Sequence, residues 1–155
     1  MLRLRQMLRE FFPAALLAFD DLGAPDALEL LGCAPDPLSA AQLSTAQITA
    51  ALKRARRRDV AAKAKTIQAG LRSGQLAQPP MVAGGYAATV RAQVAILTTL
   101  NTEIATLEGQ VEAHFGRHPD AEIYLSQPGL GVVLGARVLA EFGDDTTRYP
   151  DTRAL

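Results

Sequence analysis

The sequence predicts an all-α fold: short helices, then a long coiled-coil-like helix, then a helix–hairpin–helix. Apolar residues recur every three or four positions through most of the chain, which is the spacing of one helix face. No segment shows the alternation of Val, Ile and aromatic residues that is typical of strands. Glycine and proline clusters interrupt the helical pattern at several points, and 155 residues suffice to bury a core.

The first 80 residues predict several short helices separated by turns. An apolar stripe from Leu2 to Phe12 predicts the first helix, which Pro13 ends or bends. Ser44 or Thr45 is the expected N-cap of a later helix, because a hydroxyl there accepts a hydrogen bond from the first turn. The remaining predicted helices span 14–19, 25–31, 46–58 and 59–71, with a rigid loop at 35–37.

A single long helix is predicted from Met81 to Phe115. Its apolar residues follow a near-heptad seam, and about thirty helical residues extend roughly 45 Å. A helix of that length needs a partner helix to cover the seam. The partner is either an earlier helix of this chain or the same helix of a second subunit, and the seam alone does not decide between them.

A helix–hairpin–helix is predicted from Pro119 onward. Its turn is the hairpin Pro128-Gly129-Leu130-Gly131, and its second helix runs to Phe142, with Gly143 as the C′ residue. A glycine turn that opens a helix leaves free N–H groups, which bind anions such as phosphate. Alternatively, the glycines serve only helix packing. If the hairpin contacts the DNA phosphates, replacing Gly129 and Gly131 with residues that cannot take positive φ should abolish DNA binding.

Charge is balanced overall but clustered locally. The formal net charge is +0, so no global electrostatic attraction to nucleic acid is expected. One run of cations nevertheless stands out, and it is called the basic cluster below: Lys53, Arg54, Arg56, Arg57 and Arg58. If all five met DNA phosphates, the log–log salt slope would reach about −4. The alternative is a solvated helix end whose cations complement the helix dipole.

The other chemically distinctive residues predict no site of their own. Cys33 has apolar neighbours and is expected to be a small buried side chain. His114 and His118 are four residues apart, but the helix ends between them, so no metal site is expected. Asp20-Asp21 and Asp144-Asp145 lie in predicted turns and receive no catalytic role. No apolar run reaches the length of a membrane span, and a cytoplasmic location is expected.

The chain resembles a bacterial transposase family. Pro119-Asp-Ala-Glu-Ile-Tyr, the hairpin and Gly135-Ala-Arg-Val-Leu-Ala-Glu-Phe-Gly-Asp are similar to insertion-sequence transposases of the "one-hundred-ten" group. Upstream, Arg3-Leu-Arg-Gln-Met-Leu-Arg-Glu-Phe-Phe and His114-Phe-Gly-Arg-His-Pro extend the resemblance. It covers essentially the whole chain.

The resemblance implies an internal piece of a larger enzyme. Family members have a RuvC-like nuclease domain with an acidic DEDD metal-binding tetrad, a helical coiled-coil linker, and a C-terminal transposase domain with a catalytic serine. It implies three segments here: a helical linker or insertion region (1–80), a long coiled-coil helix (81–118) and the start of the transposase domain (119–155). Neither tetrad nor serine falls on this chain, so no catalytic residue is assigned and the chain is expected to be inactive alone.

Three functions are therefore weighed. The first is a transposase fragment contributing DNA binding and subunit assembly. Its expected partners are DNA, the bridge RNA that guides the family and a second subunit joined through 81–115; the full-length enzyme would use a divalent metal, Mg²⁺. The second is a stand-alone helix–hairpin–helix DNA-binding module, and the third a helical dimerisation protein. The predicted DNA-binding residues are Gly129, Leu130, Gly131, Val132 and Arg137, together with the basic cluster.

Overall fold

A computed structural model describes residues 2–74 and 78–143, and every segment of regular structure within them is helical. The all-α prediction is therefore confirmed for the described chain. The helices are α1 (Leu2–Phe11), α2 (Pro13–Ala18), α3 (Pro25–Cys33), α4 (Pro37–Ala41), α5 (Thr45–Arg54), α6 (Val60–Leu71), α7 (Pro80–Phe115), α8 (Ala121–Leu125) and α9 (Val132–Phe142).

The helix boundaries follow from local capping chemistry. Pro13, Pro25 and Pro37 each open a helix at its first turn, where a missing N–H costs nothing. Ser44 caps α5 in a reciprocal capping box with Gln47, which confirms the predicted N-cap.

Two boundary predictions were wrong. Residues 35–37 do not form a loop throughout, because Pro37 starts α4 and the Asp36 carboxylate accepts a hydrogen bond from the Ser39 N–H. The helix predicted to continue to Arg58 ends at Arg54, because Arg56 adopts a positive φ of 52°.

The chain divides into two compact units, Met1–Leu100 and Asn101–Leu155, and α7 contributes residues to both. In the first unit α6 contacts α2, α4 and α5, while α3 contacts α4 and α5. The three segments predicted from the resemblance are a different division of the chain, and they stay a prediction.

The core of the first unit includes part of α7. Val90 and Val94 are buried in the same cluster as Leu8 and Ile48. The Tyr86 ring stacks on Phe11 with centroids 4.9 Å apart. The first half of α7 therefore has an intrachain partner.

The second unit is held by close contact of α9 with the end of α7. A Cβ added at Gly135 of α9 would come within 2.9 Å of Phe115 Cζ. The buried Phe115 ring meets Tyr124 of α8 edge to face, at 6.4 Å between centroids. The glycine at position 135 thus allows α9 to pack closely against Phe115.

Among the described helices, none combines the length and the apolar character that crossing a membrane demands.

Candidate nucleic-acid interface

The hairpin is a turn between α8 and α9 whose two glycines have different conformations. Gly129 has a φ of +85°, a region that L-residues rarely adopt. Gly131 has φ −81° and ψ 177°, which is extended backbone open to any residue, and it is the N-cap of α9. The expectation that both glycines need positive φ is therefore wrong for Gly131.

The hairpin backbone is exposed on its outer side. A Cβ added at Gly129 or Gly131 would meet no described atom within 4 Å beyond its chain neighbours. The packing role considered for the turn glycines falls instead to Gly135, where that space is occupied. No side chain caps α9, because its N-cap residue is a glycine. The first N–H groups of α9 thus have no side-chain cap, an arrangement that suits an anion.

The other residues predicted at the hairpin are partly accessible. Leu130 and Val132 are half-buried, and the Leu130 N–H donates to the Gln127 carbonyl at 3.2 Å, which closes the turn. Arg137 is exposed, on the second turn of α9. The structure thus leaves a basic side chain and an open helix N-terminus on the same eleven-residue helix.

The basic cluster lies at the end of α5 and in the turn before α6, in the first unit. The Arg56 N–H donates to the Lys53 carbonyl, and the Arg57 N–H donates to the Leu52 carbonyl, both at 3.0 Å. Together with the left-handed backbone conformation of Arg56, these two hydrogen bonds form a Schellman motif that ends α5. Asp59, just before α6, also has a φ of 52°.

Two of the five cations are bound by carboxylates of α3. Arg57 donates to Asp26 Oδ1 from Nε at 3.0 Å and from a terminal guanidinium nitrogen at 2.8 Å. Asp26 is only 6% exposed, so this is a partly desolvated, charge-assisted contact. Arg54 forms a second ion pair, with Glu29. These hydrogen bonds raise the pKa of both guanidinium groups, so both remain cations under all ordinary conditions.

The remaining three cations are turned to solvent. Lys53, Arg56 and Arg58 are exposed, and neither ion pair involves them. If only these three met phosphates, the salt slope would be about −2.7, which is shallower than the slope expected if all five cations met phosphates. The structure therefore separates cations that hold the fold from cations available to a ligand.

The long helix α7 changes character along its length. Val90 and Val94 are buried, whereas Leu100, Ile104 and Leu107 are 51%, 51% and 58% exposed. The exposed residues continue the same spacing of three or four, so the later part of the seam is uncovered by described residues.

The other sequence candidates have ordinary surroundings. His114 contacts Arg117, and His118 accepts a hydrogen bond from the Asp120 N–H at 3.2 Å. No metal-binding group of three His, Cys, Asp or Glu occurs within residues 2–74 and 78–143. Cys33 is exposed, so the prediction of a buried thiol was wrong; it is the last residue of α3. Asp144 and Asp145 lie outside the described residues.

Comparison with known proteins connects the chain to mobile elements. It is 42% identical over 158 aligned positions to "Mini-circle putative transposase for IS117" of Streptomyces coelicolor, covering 99% of this chain and 38% of that relative. The chain is homologous to an insertion-sequence transposase. It is also 37% identical, over 92% of its length and 32% of the relative's, to "Insertion element IS900 uncharacterized 42 kDa protein" of Mycobacterium paratuberculosis. It thus spans about a third of each. No family model and no solved structure matches.

Sequence reasoning missed the residues that organise the basic cluster. Asp26 and Glu29 could have been noticed as an acidic face, since they lie three residues apart and share one side of α3. Nothing in the sequence places that face against residues 54 and 57. Gly135 was named only within the resemblance, and its packing role depends on the approach of Phe115.

Proposed function

We propose that this chain is an internal region of an insertion-sequence transposase of the "one-hundred-ten" group, contributing DNA-backbone binding and subunit assembly. The observation that carries the proposal is the 42% identity to a transposase along 99% of the chain. That likeness favours the transposase over a stand-alone DNA-binding module or a purely structural helical protein. A role in transposition is therefore the function that the comparisons support best.

The first proposed DNA contact is the hairpin of the second unit. The uncapped N–H groups that follow Gly131 would donate to a phosphate oxygen, and Arg137 would add a positive charge. Such contacts are made to the backbone and not to base edges, so the binding is expected to be indifferent to sequence. The open space at Gly129 and Gly131 supports this, because a phosphate must approach the backbone closely.

The second proposed DNA contact is the basic cluster of the first unit. Lys53, Arg56 and Arg58 supply exposed positive charge, and the Arg57–Asp26 pair fixes the turn between them. Each cation that neutralises a phosphate releases counterions, which makes binding weaken as salt rises.

The third proposed contact joins two subunits through α7. Ile96, Leu100, Ile104 and Leu107 are 51–58% exposed and recur at helical spacing, so a second copy of the helix would bury them. Burial of such side chains is worth about 1.5–3 kcal/mol each when complete. A homo-oligomer assembled through 81–115 accounts for apolar residues that the described chain leaves uncovered.

Chemistry is proposed to reside elsewhere in the full enzyme. By resemblance, a RuvC-like nuclease domain of the DEDD type would bind Mg²⁺, a serine of the transposase domain would act in strand cleavage and joining, and a bridge RNA would guide target choice. None of those residues is assigned to this chain. Its own contribution is to hold DNA and a second subunit.

DNA binding by the purified chain tests the proposal. A labelled duplex of arbitrary sequence is titrated at several salt concentrations, with the wild type and a variant carrying Lys53→Gln, Arg56→Gln and Arg58→Gln. We expect binding by the wild type, and a salt slope flatter by up to about 3 in the variant. Arg91→Gln, which removes an exposed cation of α7, is the matched control and should change little. Absence of wild-type binding at low salt would refute the DNA-binding proposal.

A further inference from the structure

Arg56 occupies a position at which glycine is the usual residue. In the Schellman motif that ends α5, Arg56 is the residue after the C-cap Ala55, and its φ is 52°. Helices commonly end with glycine there, since glycine has no Cβ to clash in the left-handed conformation. An arginine at this position is strained, and its side chain takes part in neither ion pair of the turn.

The surrounding contacts impose this conformation. On the amino side, the Arg56 and Arg57 N–H groups are bound to the last turn of α5. On the carboxyl side, the Arg57 guanidinium is tied to the buried carboxylate of Asp26. Residues kept in strained conformations by their surroundings cluster at functional sites. The anchored Arg57 therefore fixes the backbone from which the Arg56 side chain projects.

The chemistry of the exposed groups indicates a phosphate ligand. Lys53 and Arg58 lie close to Arg56 in sequence and are exposed, whereas Asp26 and Glu29 are already bound by the other two arginines. Asp59 is a further exposed carboxylate of the turn, and the three exposed cations outnumber it. A guanidinium binds a phosphate oxygen pair through parallel hydrogen bonds, and it is more weakly hydrated than an ammonium group.

We propose that Arg56 is a phosphate-contacting residue of the basic cluster: it binds the phosphodiester backbone of DNA from a position at which glycine would stabilise the fold. This inference rests on the proposed DNA-binding function and sharpens it to one residue. It has an unusual consequence, because replacing Arg56 should raise stability and lower affinity together.

The test uses Arg56→Gly in the full 155-residue chain. Relief of strain should raise Tm by about 2–4 °C. Loss of one phosphate contact should flatten the salt slope by about 0.9 and weaken binding roughly eightfold near 0.1 M salt. Asp59→Gly is the matched control, because it relieves the same positive φ of 52° without removing a cation. It should also raise Tm, and its affinity should stay the same or rise, because the substitution removes an exposed anion next to Arg58.

The outcomes separate this inference from the proposed function. If the Arg56→Gly variant binds duplex DNA with the wild-type affinity and salt slope, the proposed role of Arg56 is overturned. The DNA-binding proposal still stands in that case, because the wild-type chain binds the duplex. A fall in Tm for Arg56→Gly also overturns it, because the strain argument then fails. If the wild type does not bind the duplex at low salt, both proposals fail together.

Discussion

Alanine substitutions at the two hairpin glycines should have different effects on stability. Gly129 has a φ of +85°, and an L-residue held there costs about 1–2 kcal/mol. Gly131 has a φ of −81°, which alanine adopts freely, and an added Cβ meets no described atom within 4 Å. Alanine at an N-cap is less favourable than glycine, but it also stiffens the unfolded chain, so the two small effects offset each other.

Thermal unfolding followed by circular dichroism measures this difference. Gly129→Ala should lower Tm by roughly 2–8 °C, because each kcal/mol corresponds to about 2–4 °C in a chain of this size. Gly131→Ala should leave Tm within about 2 °C of the wild type. The two substitutions are chemically identical, so their difference isolates the backbone conformation. Equal losses of Tm would show that the assignment of conformations at the turn is wrong.

The same pair of variants separates stability from DNA binding. If the hairpin binds phosphate, a Cβ at Gly131 lies where the phosphate must approach, and hydrogen bonds to a charged group are worth about 1.5–3 kcal/mol. Gly131→Ala should then weaken binding to a DNA duplex roughly 10- to 100-fold without unfolding the chain. Unchanged affinity in the folded Gly131→Ala variant would refute the hairpin as the DNA contact.

Three further predictions concern an ion pair, a helix cap and the assembly helix. Asp26→Ala should destabilise the fold by about 1.5–3 kcal/mol in urea unfolding, since the Arg57 guanidinium loses its two charge-assisted bonds; an unchanged midpoint would contradict this. Ser44→Ala should cost about 1 kcal/mol, since it removes the capping box of α5, and a loss below the error of the unfolding curve would count against it. Ile104→Asp should convert an oligomer to a monomer in light scattering, while Glu103→Gln beside it should not; a wild-type monomer at high concentration would refute assembly through α7.

Most helices could be predicted because their signals are local. Prolines at first turns, the Ser44 cap and apolar stripes each depend on residues within one or two turns of each other. The end of α5 could not be predicted in this way. Its sequence, KRARRR, contains no glycine or proline, and residues of this kind are good helix formers. The helix stops because the Arg57–Asp26 contact and the start of α6 impose a left-handed turn at Arg56.

The basic cluster shows why a count of charges is a poor guide to a binding site. In sequence its five cations are equivalent, and only their number enters the expected salt dependence. In the fold, Arg54 and Arg57 are bound by carboxylates from a helix more than twenty residues earlier. Such pairing over long sequence separations has no local signature.

The seam of α7 shows the same limit in an apolar form. The spacing of its apolar residues predicts a long helix with an apolar seam, but it does not show which part of that seam the chain itself covers. The fold buries Val90 and Val94 within the first unit and leaves Leu100, Ile104 and Leu107 half-exposed. The two alternatives weighed from the sequence, an intrachain partner and a second subunit, thus need not exclude each other. The first part of the seam packs against earlier helices of the same chain, and a second copy of α7 offers matching apolar residues for the rest.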